Sequence, residues 1–312
     1  MALRVIRPGM LTTIQDAGRW GYQSRGVPVA GPMDAVSFRL ANALVGNGRD
    51  AAALEITLLG PELEFEDERV IAIAGAEFDV ALDGKPVPLH APFVVSSGSH
   101  LRFGARQRGA RAYLAIAGGI ATEPILGSRA THVISAMGGI EGRPLRAGDD
   151  LPLGASTHAR GTAHASAPIV PLPDRSACIR VMPGPQVEYF AADALAVLQS
   201  SPYRIGQQSD RMGFRLEGPR LTHARGADVI SDATPLGVLQ VPASGQPILL
   251  MADRQTTGGY PKIATVISAD MPIAGQLGPG DAISFAVCSM ADAMAALIAQ
   301  ERALMAVESA GS

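Results

Sequence analysis

Leu58-Leu-Gly-Pro-Glu-Leu63 and Leu216-Glu-Gly-Pro-Arg-Leu221 share the pattern L-x-G-P-x-L, and this repetition decides how the rest of the sequence is read. A duplicated unit fixes the architecture before any local element does. Two further pairs occur in the same order. Arg4-Val5 ahead of Pro8-Gly9 is echoed by Arg180-Val181 ahead of Pro183-Gly184, and Leu145-Arg-Ala-Gly-Asp-Asp-Leu151 by Leu277-Gly-Pro-Gly-Asp-Ala-Ile283, each leading into a closing strand. Gly-Pro and Gly-Asp turns are common, so no pair is strong alone; the preserved order carries the argument. The unequal offsets mean that the two halves hold different insertions.

Between the halves, residues 154–176 are rich in small residues and proline and lack hydrophobic periodicity, which is the composition of a linker. The expected division is 1–153, a linker at 154–176, and 177–312. His158 and His164 in the linker have no Cys or carboxylate at metal-site spacing. Elsewhere, short apolar runs bounded by turn residues read as strands: 54–58, 70–74, 78–82, 113–117, 248–251, 263–267 and 283–287. Helical spacing appears three times. Asp34 caps a helix that ends at Gly46-Asn47-Gly48, 191–199 form a shorter one, and Ser289 caps a terminal helix carrying Met294, Leu297, Ile298 and Leu304. The expected fold class is mainly β with a few packed helices.

A chain of 312 residues, 47% of them hydrophobic, can bury a sizeable core. With 18% charged residues and a formal net charge of −3, no global field draws it to nucleic acid or to an anionic membrane, so small-molecule or protein partners are expected. The N-terminal stretch has no apolar h-region, and no run reaches the roughly 18 apolar residues of a membrane span. Cys178 and Cys288, far apart in apolar strand-like stretches, read as buried free thiols in a reducing, cytoplasmic compartment.

Self-contained catalytic kits are missing: there is no phosphate loop, nucleophile elbow, H-E-x-x-H, C-x-x-C or dinucleotide fingerprint. Use of ATP or of a tethered cofactor therefore calls for another chain. Lys85 sits in Asp83-Gly-Lys-Pro86, a hairpin turn, and neither it nor Lys262 lies between methionines as a biotinylated lysine does, so the chain is not a biotin carrier. Three polar segments stand out. In the first, 12–37, Arg19 or Arg25 would clamp a carboxylate and Asp16 would orient an arginine or accept a proton; the alternative is a turn-rich cluster whose Asp and Arg pair with each other. The second, 203–215, holds Ser209, Asp210 and Arg211 at a strand end. The third, Met251 to Lys262, is the most specific. Gln255, Thr256, Thr257 and the backbone of Gly258-Gly259 form a dense donor set behind Asp253, with Lys262 as cation and Tyr260 as platform or acid, suited to a planar amide or carboxylate and to charge developing on oxygen.

At these residues the sequence resembles the family that groups biotin-dependent carboxyltransferases, allophanate hydrolase subunit 2 and the C subunit of 5-oxoprolinase. The matching segments are T-x-Q-D-x-G-R-x-G at Thr13–Gly21, G-P-M-D-x-x-S at Gly31–Ser37, A-N-x-L-V-G-N at Ala41–Asn47, L-E-x-T at Leu54–Thr57, A-G-G-I at Ala117–Ile120, L-G-S-R at Leu126–Arg129, S-D-R-M-G at Ser209–Gly213 and D-R-Q-T-T-G-G-Y-P-K at Asp253–Lys262. The resemblance implies two tandem cyclophilin-like β-barrel subdomains. It also implies partners: a protein like allophanate hydrolase subunit 1, which is the B subunit of 5-oxoprolinase, and a lamB/YcsF-like protein, its A subunit. Such a complex opens 5-oxo-L-proline to L-glutamate at the expense of ATP, with no cofactor covalently held by this chain, and the chain alone would be inactive. Two other roles within reach of the resemblance are carboxyl transfer from biotin on a partner carrier to urea, and regulatory antagonism of a kinase inhibitor. From the three polar segments, Asp253, Thr256, Thr257 and Lys262 are expected in the chemistry, and Asp16, Arg19, Arg25, Ser209, Asp210, Arg211, Gln255, Gly258, Gly259 and Tyr260 in substrate binding.

Overall fold

The computed structural model describes residues 2–155 and 169–310, so His158 and His164 lie outside the described residues. The chain divides into two compact units: Met1–Arg19, Ala30–Leu172 and Gln300–Ser312 form unit 1, and Trp20–Val29 with Pro173–Ala299 form unit 2.

Unit 1 contains β1 (Ala2–Arg7), β2 (Leu11–Gln15), helix α1 (Ala35–Leu44), β3 (Ala53–Thr57), β4 (Glu62–Phe65), β5 (Arg69–Leu82), β6 (Lys85–Pro86), β7 (Pro92–Val95), β8 (His100–Ile116) and β9 (Asp150–Pro152). Its sheet runs β2-β3-β8-β4-β1-β9, and β5 pairs with β8, β6 and β7. Leu3, Leu54, Ile56, Leu63 and Phe65 are fully buried in its core. The runs expected as separate strands at 70–74 and 78–82 are one 14-residue strand, β5. A register shift between Gly75 and Glu77, with Gly75 at φ +92°, bends it without ending it. The β5–β6 turn is the expected hairpin at Asp83-Gly84, both with positive φ.

Unit 2 contains β10 (Ser176–Pro183), α2 (Ala194–Ser200), β11 (Tyr203–Ile205), β12 (Gly213–Glu217), β13 (Asp232–Ala233), β14 (Val238–Gln240), β15 (Ile248–Leu250), β16 (Thr257–Gly258), β17 (Lys262–Val266), α3 (Met271–Gly275) and β18 (Ala282–Val287). The final helix, α4 (Met290–Ala310), begins in this unit and is counted with unit 1 from Gln300. Seven strands close a barrel in the order β10-β17-β14-β15-β12-β11-β18, with β18 returning parallel to β10. The protein is thus mainly β, with one closed barrel and one sheet whose ladder stays open. Cys178 is exposed, against expectation, and Cys288 is half-buried. Strand period explains Cys178: Ile179 and Val181 point inward at 0% exposure, so the alternate positions 178 and 180 face out.

The repeated turns do the same work in both units. A Cβ on Gly60 would lie 2.3–3.0 Å from the Phe103 side chain, and one on Gly218 would lie 2.6–3.0 Å from the Tyr203 ring. The G-P turn therefore gives an aromatic ring room that any side chain would fill. Gly9 and Gly184 likewise admit the carbonyls of Leu59 and Lys262, each 2.3 Å from where a Cβ would stand. In the third pair, Asp149 accepts a hydrogen bond from Arg146 N (2.7 Å) and Asp281 from Gly278 N (2.9 Å), so in each unit the Asp side chain reaches back three residues to close the same turn.

Helix α1 starts where the sequence places it: Asp34 accepts from Ser37 N (2.9 Å) and from Ser37 Oγ (2.6 Å). Helix α2 starts three residues later than the expected Ala191. Ser289 caps α4 through a reciprocal bond with Asp292. Of the apolar stripe on α4, Leu304 is buried, whereas Met294 and Ile298 are exposed.

Candidate functional site

The start of the first polar segment, with Asp16 and Arg19, lies in unit 1, while its residues 20–29 are counted with unit 2. Asp16 is buried; its carboxylate accepts from Gly18 N (2.9 Å), Ser128 Oγ (2.6 Å) and Arg129 N. Arg19, with no exposed surface, donates from Nε to the Ile125 carbonyl (3.0 Å) and from Nη2 to those of Ala130 (2.8 Å) and Ser128 (3.4 Å). Expected from the sequence to meet substrate, both side chains are buried here and hold the loop at 125–131 through these partners. Arg25, on a short 3-10 turn counted with unit 2, is exposed. The motifs around Asp34 and Glu55 also meet inside unit 1. The Tyr113 hydroxyl donates to Glu55 (2.7 Å) and accepts from Asp34 N (2.8 Å), and Glu55 accepts from Met33 N (2.8 Å). Burial and the two carboxylates push the Tyr113 phenol well above its ordinary pKa, so it stays a hydrogen-bond donor.

The second and third segments converge within unit 2. Met251 N and Asp253 N donate to the carbonyls of Met212 (2.9 Å) and Arg211 (2.8 Å). Arg211 then forks onto Asp253 through Nε (3.0 Å) and Nη2 (2.9 Å), and each side chain is only 6% exposed. Both are expected from the sequence to act on substrate; in the fold they pair with each other and tie the two segments together, because two matched charge-assisted bonds offset the desolvation of the charges. Ser209 accepts from Arg215 N (3.0 Å), and Asp210 accepts from Met212 N (2.8 Å) and Gly213 N (3.4 Å), shaping the turn into β12.

Lys262 is 1% exposed, and its Nζ donates to Asp232 (3.1 Å), whose own side chain is 59% exposed. That bond holds the Asp232 carboxyl below its usual range. Thr257 and Gly258 belong to β16, paired with β13, and the Gly259 carbonyl accepts from Val229 N (2.9 Å). A Cβ on Gly258 would come within 2.6 Å of Gln240 Nε2, so glycine there admits the Gln240 amide.

Two cavities follow from this arrangement. One, of about 220 Å³, is lined by Gln208, Asp210, Arg215, Gln240, Gln255 and Tyr260 together with apolar Ile248 and Leu250. The other, of about 210 Å³, is lined by Gln23, Val29, Thr234, Arg254, Gln255 and Thr256. Gln255 belongs to both, and its Nε2 lies 3.5 Å from Gln240 Oε1. Of the expected residues, Asp210, Gln255, Thr256 and Tyr260 reach these cavities; Ser209, Arg211, Asp253, Thr257, Gly258, Gly259 and Lys262 line neither and shape the walls instead. Sequence reasoning misses Gln208, Arg215, Gln240 and Arg254. Gln240 leaves a signal, a lone amide inside the apolar run 238–241 that is 1% exposed in the fold. Among the described residues no group of three or more His, Cys, Asp or Glu is arranged to hold a metal ion.

Residues 25–287, which include nearly all of the lining of both cavities, match the family described as carboxyltransferase domain, subdomain A and B. The chain belongs to this family. Within it, the chain is 40% identical over 300 residues to the 5-oxoprolinase C subunit of Escherichia coli, covering 96% of each chain. It is 38% identical over 281 residues to the 5-oxoprolinase C subunit of Haemophilus influenzae, covering 90% of this chain and 89% of that one. Among solved structures, K. lactis urea amidolyase superposes with a TM-score of 0.91 at 34% identity, over 98% of this chain and 20% of that one. The chain therefore spans most of the length of the bacterial subunits and about a fifth of the yeast enzyme. Asp16 and Arg19 precede the part that matches the carboxyltransferase domain, and both polar segments of unit 2 lie inside it.

Proposed function

We propose that this chain is the C subunit of an ATP-dependent 5-oxoprolinase, a hydrolase that opens the lactam of 5-oxo-L-proline to give L-glutamate. The observation that carries the reading is the cavity in which the carboxamides of Gln208, Gln240 and Gln255 gather beside Tyr260. A lactam presents one N–H donor and one carbonyl acceptor in a plane, and carboxamide side chains offer both complements. Apolar Ile248 and Leu250 in the same lining suit the ring methylenes. The end-to-end likeness to two bacterial 5-oxoprolinase C subunits supports the same substrate class.

In this reading the chain binds and orients the lactam. ATP is used by the complex, through a B subunit resembling allophanate hydrolase subunit 1 and a lamB/YcsF-like A subunit, in the cytoplasm and without a covalent cofactor on this chain. Mixing the three purified proteins with ATP and 5-oxo-L-proline should release glutamate, and this chain alone should release none. A complete mixture that releases no glutamate rejects the proposal.

A second reading has its own observation, the fit to urea amidolyase across 98% of the chain. In it the same amide-lined cavity takes urea, and the carboxyl group comes from biotin on a partner carrier. Carboxylation of urea by a mixture containing a biotinylated carrier, with no turnover of 5-oxo-L-proline, would select it.

A further inference from the structure

Arg254 is a partly buried cation with no anion of its own. Its Nε donates to the Thr234 carbonyl (2.8 Å) and its Nη1 to the Met251 carbonyl (3.5 Å), and among the described residues it forms no ion pair. The adjacent carboxylate, Asp253, is taken by Arg211. Arg69 and Arg180 each meet a carboxylate, at Asp67 and Asp270. Burial pulls the Arg254 guanidinium below its ordinary pKa, against a smaller opposite pull from the Asp253 carboxylate.

Two other polar side chains of the same cavity hold donor groups. Gln23 engages its carbonyl with Gly21 N (2.9 Å), and among the described residues neither its amide N–H2 nor the Thr256 hydroxyl donates to a protein acceptor. A cation, an amide donor and a hydroxyl that line one cavity without a lining carboxylate form a site of the opposite polarity to a small anion. We infer that this cavity binds a carboxylate, and that Gln255, shared with the amide-lined cavity, places the carboxylate and the planar amide of one ligand on its two sides. At about 210 Å³ the cavity falls below the roughly 300 Å³ at which drug-sized pockets begin, so it suits a small acid and not a nucleotide. The ligand's identity rests on the 5-oxoprolinase reading; the polarity of the site does not.

In the assembled complex, Arg254→Gln should raise the KM for 5-oxo-L-proline roughly 10- to 100-fold, as expected for losing a charge-assisted pair, with the KM for ATP unchanged. Arg254→Lys, which keeps the charge and loses the fork, should fall between. 2-Pyrrolidinone, which has the lactam and no carboxylate, should inhibit wild type and both variants alike. An unchanged KM for 5-oxo-L-proline, an equal weakening of 2-pyrrolidinone, or a raised KM for ATP overturns the carboxylate site and leaves the functional assignment standing. A second measurement needs neither turnover nor a variant. Phenylglyoxal labelling of Arg254 in the wild-type chain, followed by peptide mass spectrometry, should be slowed by 5-oxo-L-proline and not by 2-pyrrolidinone; labelling that ignores both ligands overturns the site. A wild-type complex that releases no glutamate counts against the functional reading alone, and the labelling still decides the site.

Discussion

At single residues, the buried Arg211–Asp253 pair carries a load that can be measured. Replacing either Arg211 or Asp253 by alanine leaves an uncompensated buried charge and should destabilise unit 2 by about 3–5 kcal/mol in urea unfolding. The double change Arg211→Met with Asp253→Leu should recover most of that loss; if it is as damaging as the single changes, the pair is more than a mutual neutraliser. The repeated glycines predict the opposite kind of failure. Gly60→Ala drives a methyl into the Phe103 side chain and should cost about 1–3 kcal/mol, and Phe103→Leu, which keeps the Cβ and Cγ that the methyl meets, should not restore it. The sequence displays Arg211 and Asp253 as reactive types in polar segments. It does not display that these residues, 42 positions apart, meet in the fold. Arg254, one position along, is the cation left over.

At the scale of elements, turn chemistry is the most legible feature. Asp34 and Ser289 signal their helices because a capping side chain acts on amides two or three residues away, within reach of local reading. The Gly-Asp turns before β9 and β18 are legible for the same reason. The two-residue ladder of β13 with β16 is not, since Asp232 and Ala233 carry no strand pattern and are held by Thr257 and Gly258 from a distant part of the chain. Lys262, a buried cation, anchors that ladder through Asp232. Asp232→Ala should therefore raise hydrogen exchange at Val229 and Thr234, whose amides donate to Gly259 and Thr256, while the barrel amides of β12 and β15 keep their protection. Equal exchange in the variant would show that the ladder stands without the lysine.

For the whole molecule, acid stability follows from several groups of one sign. Hydrogen bonding to Arg143 depresses the Asp149 carboxyl, Arg108 depresses Glu77, and burial depresses His90. In each case the unfolded chain binds its proton first, so stability falls as pH falls. The loss should begin near the unfolded histidine value of 6.5 and steepen below the unfolded carboxylate values of 4.5 and 3.8. Thermal midpoints measured from pH 8 to pH 3 should show both limbs; His90→Gln should remove the first and Arg143→Ala should weaken the second. A midpoint flat down to pH 4 would contradict the assignment. At this scale the internal repeat conveys two β-rich units, but it is silent on closure. The copies of each turn match, while β9 runs antiparallel to β1 and β18 parallel to β10, a difference made by residues outside the repeated motifs.

The fork of Arg211 on Asp253 bears on how a ligand is received. Loops that are already fastened to one another lose little freedom when a molecule arrives, so the entropic penalty of ordering them belongs to folding and not to binding. Calorimetry of 5-oxo-L-proline binding to the assembled complex should accordingly show a heat-capacity change matching the small area of the ligand, without the larger decrement of a segment that folds around its guest. Under the proposed function, such a receptor would select by fit at the moment of encounter, its discrimination among small amides set before any of them is present.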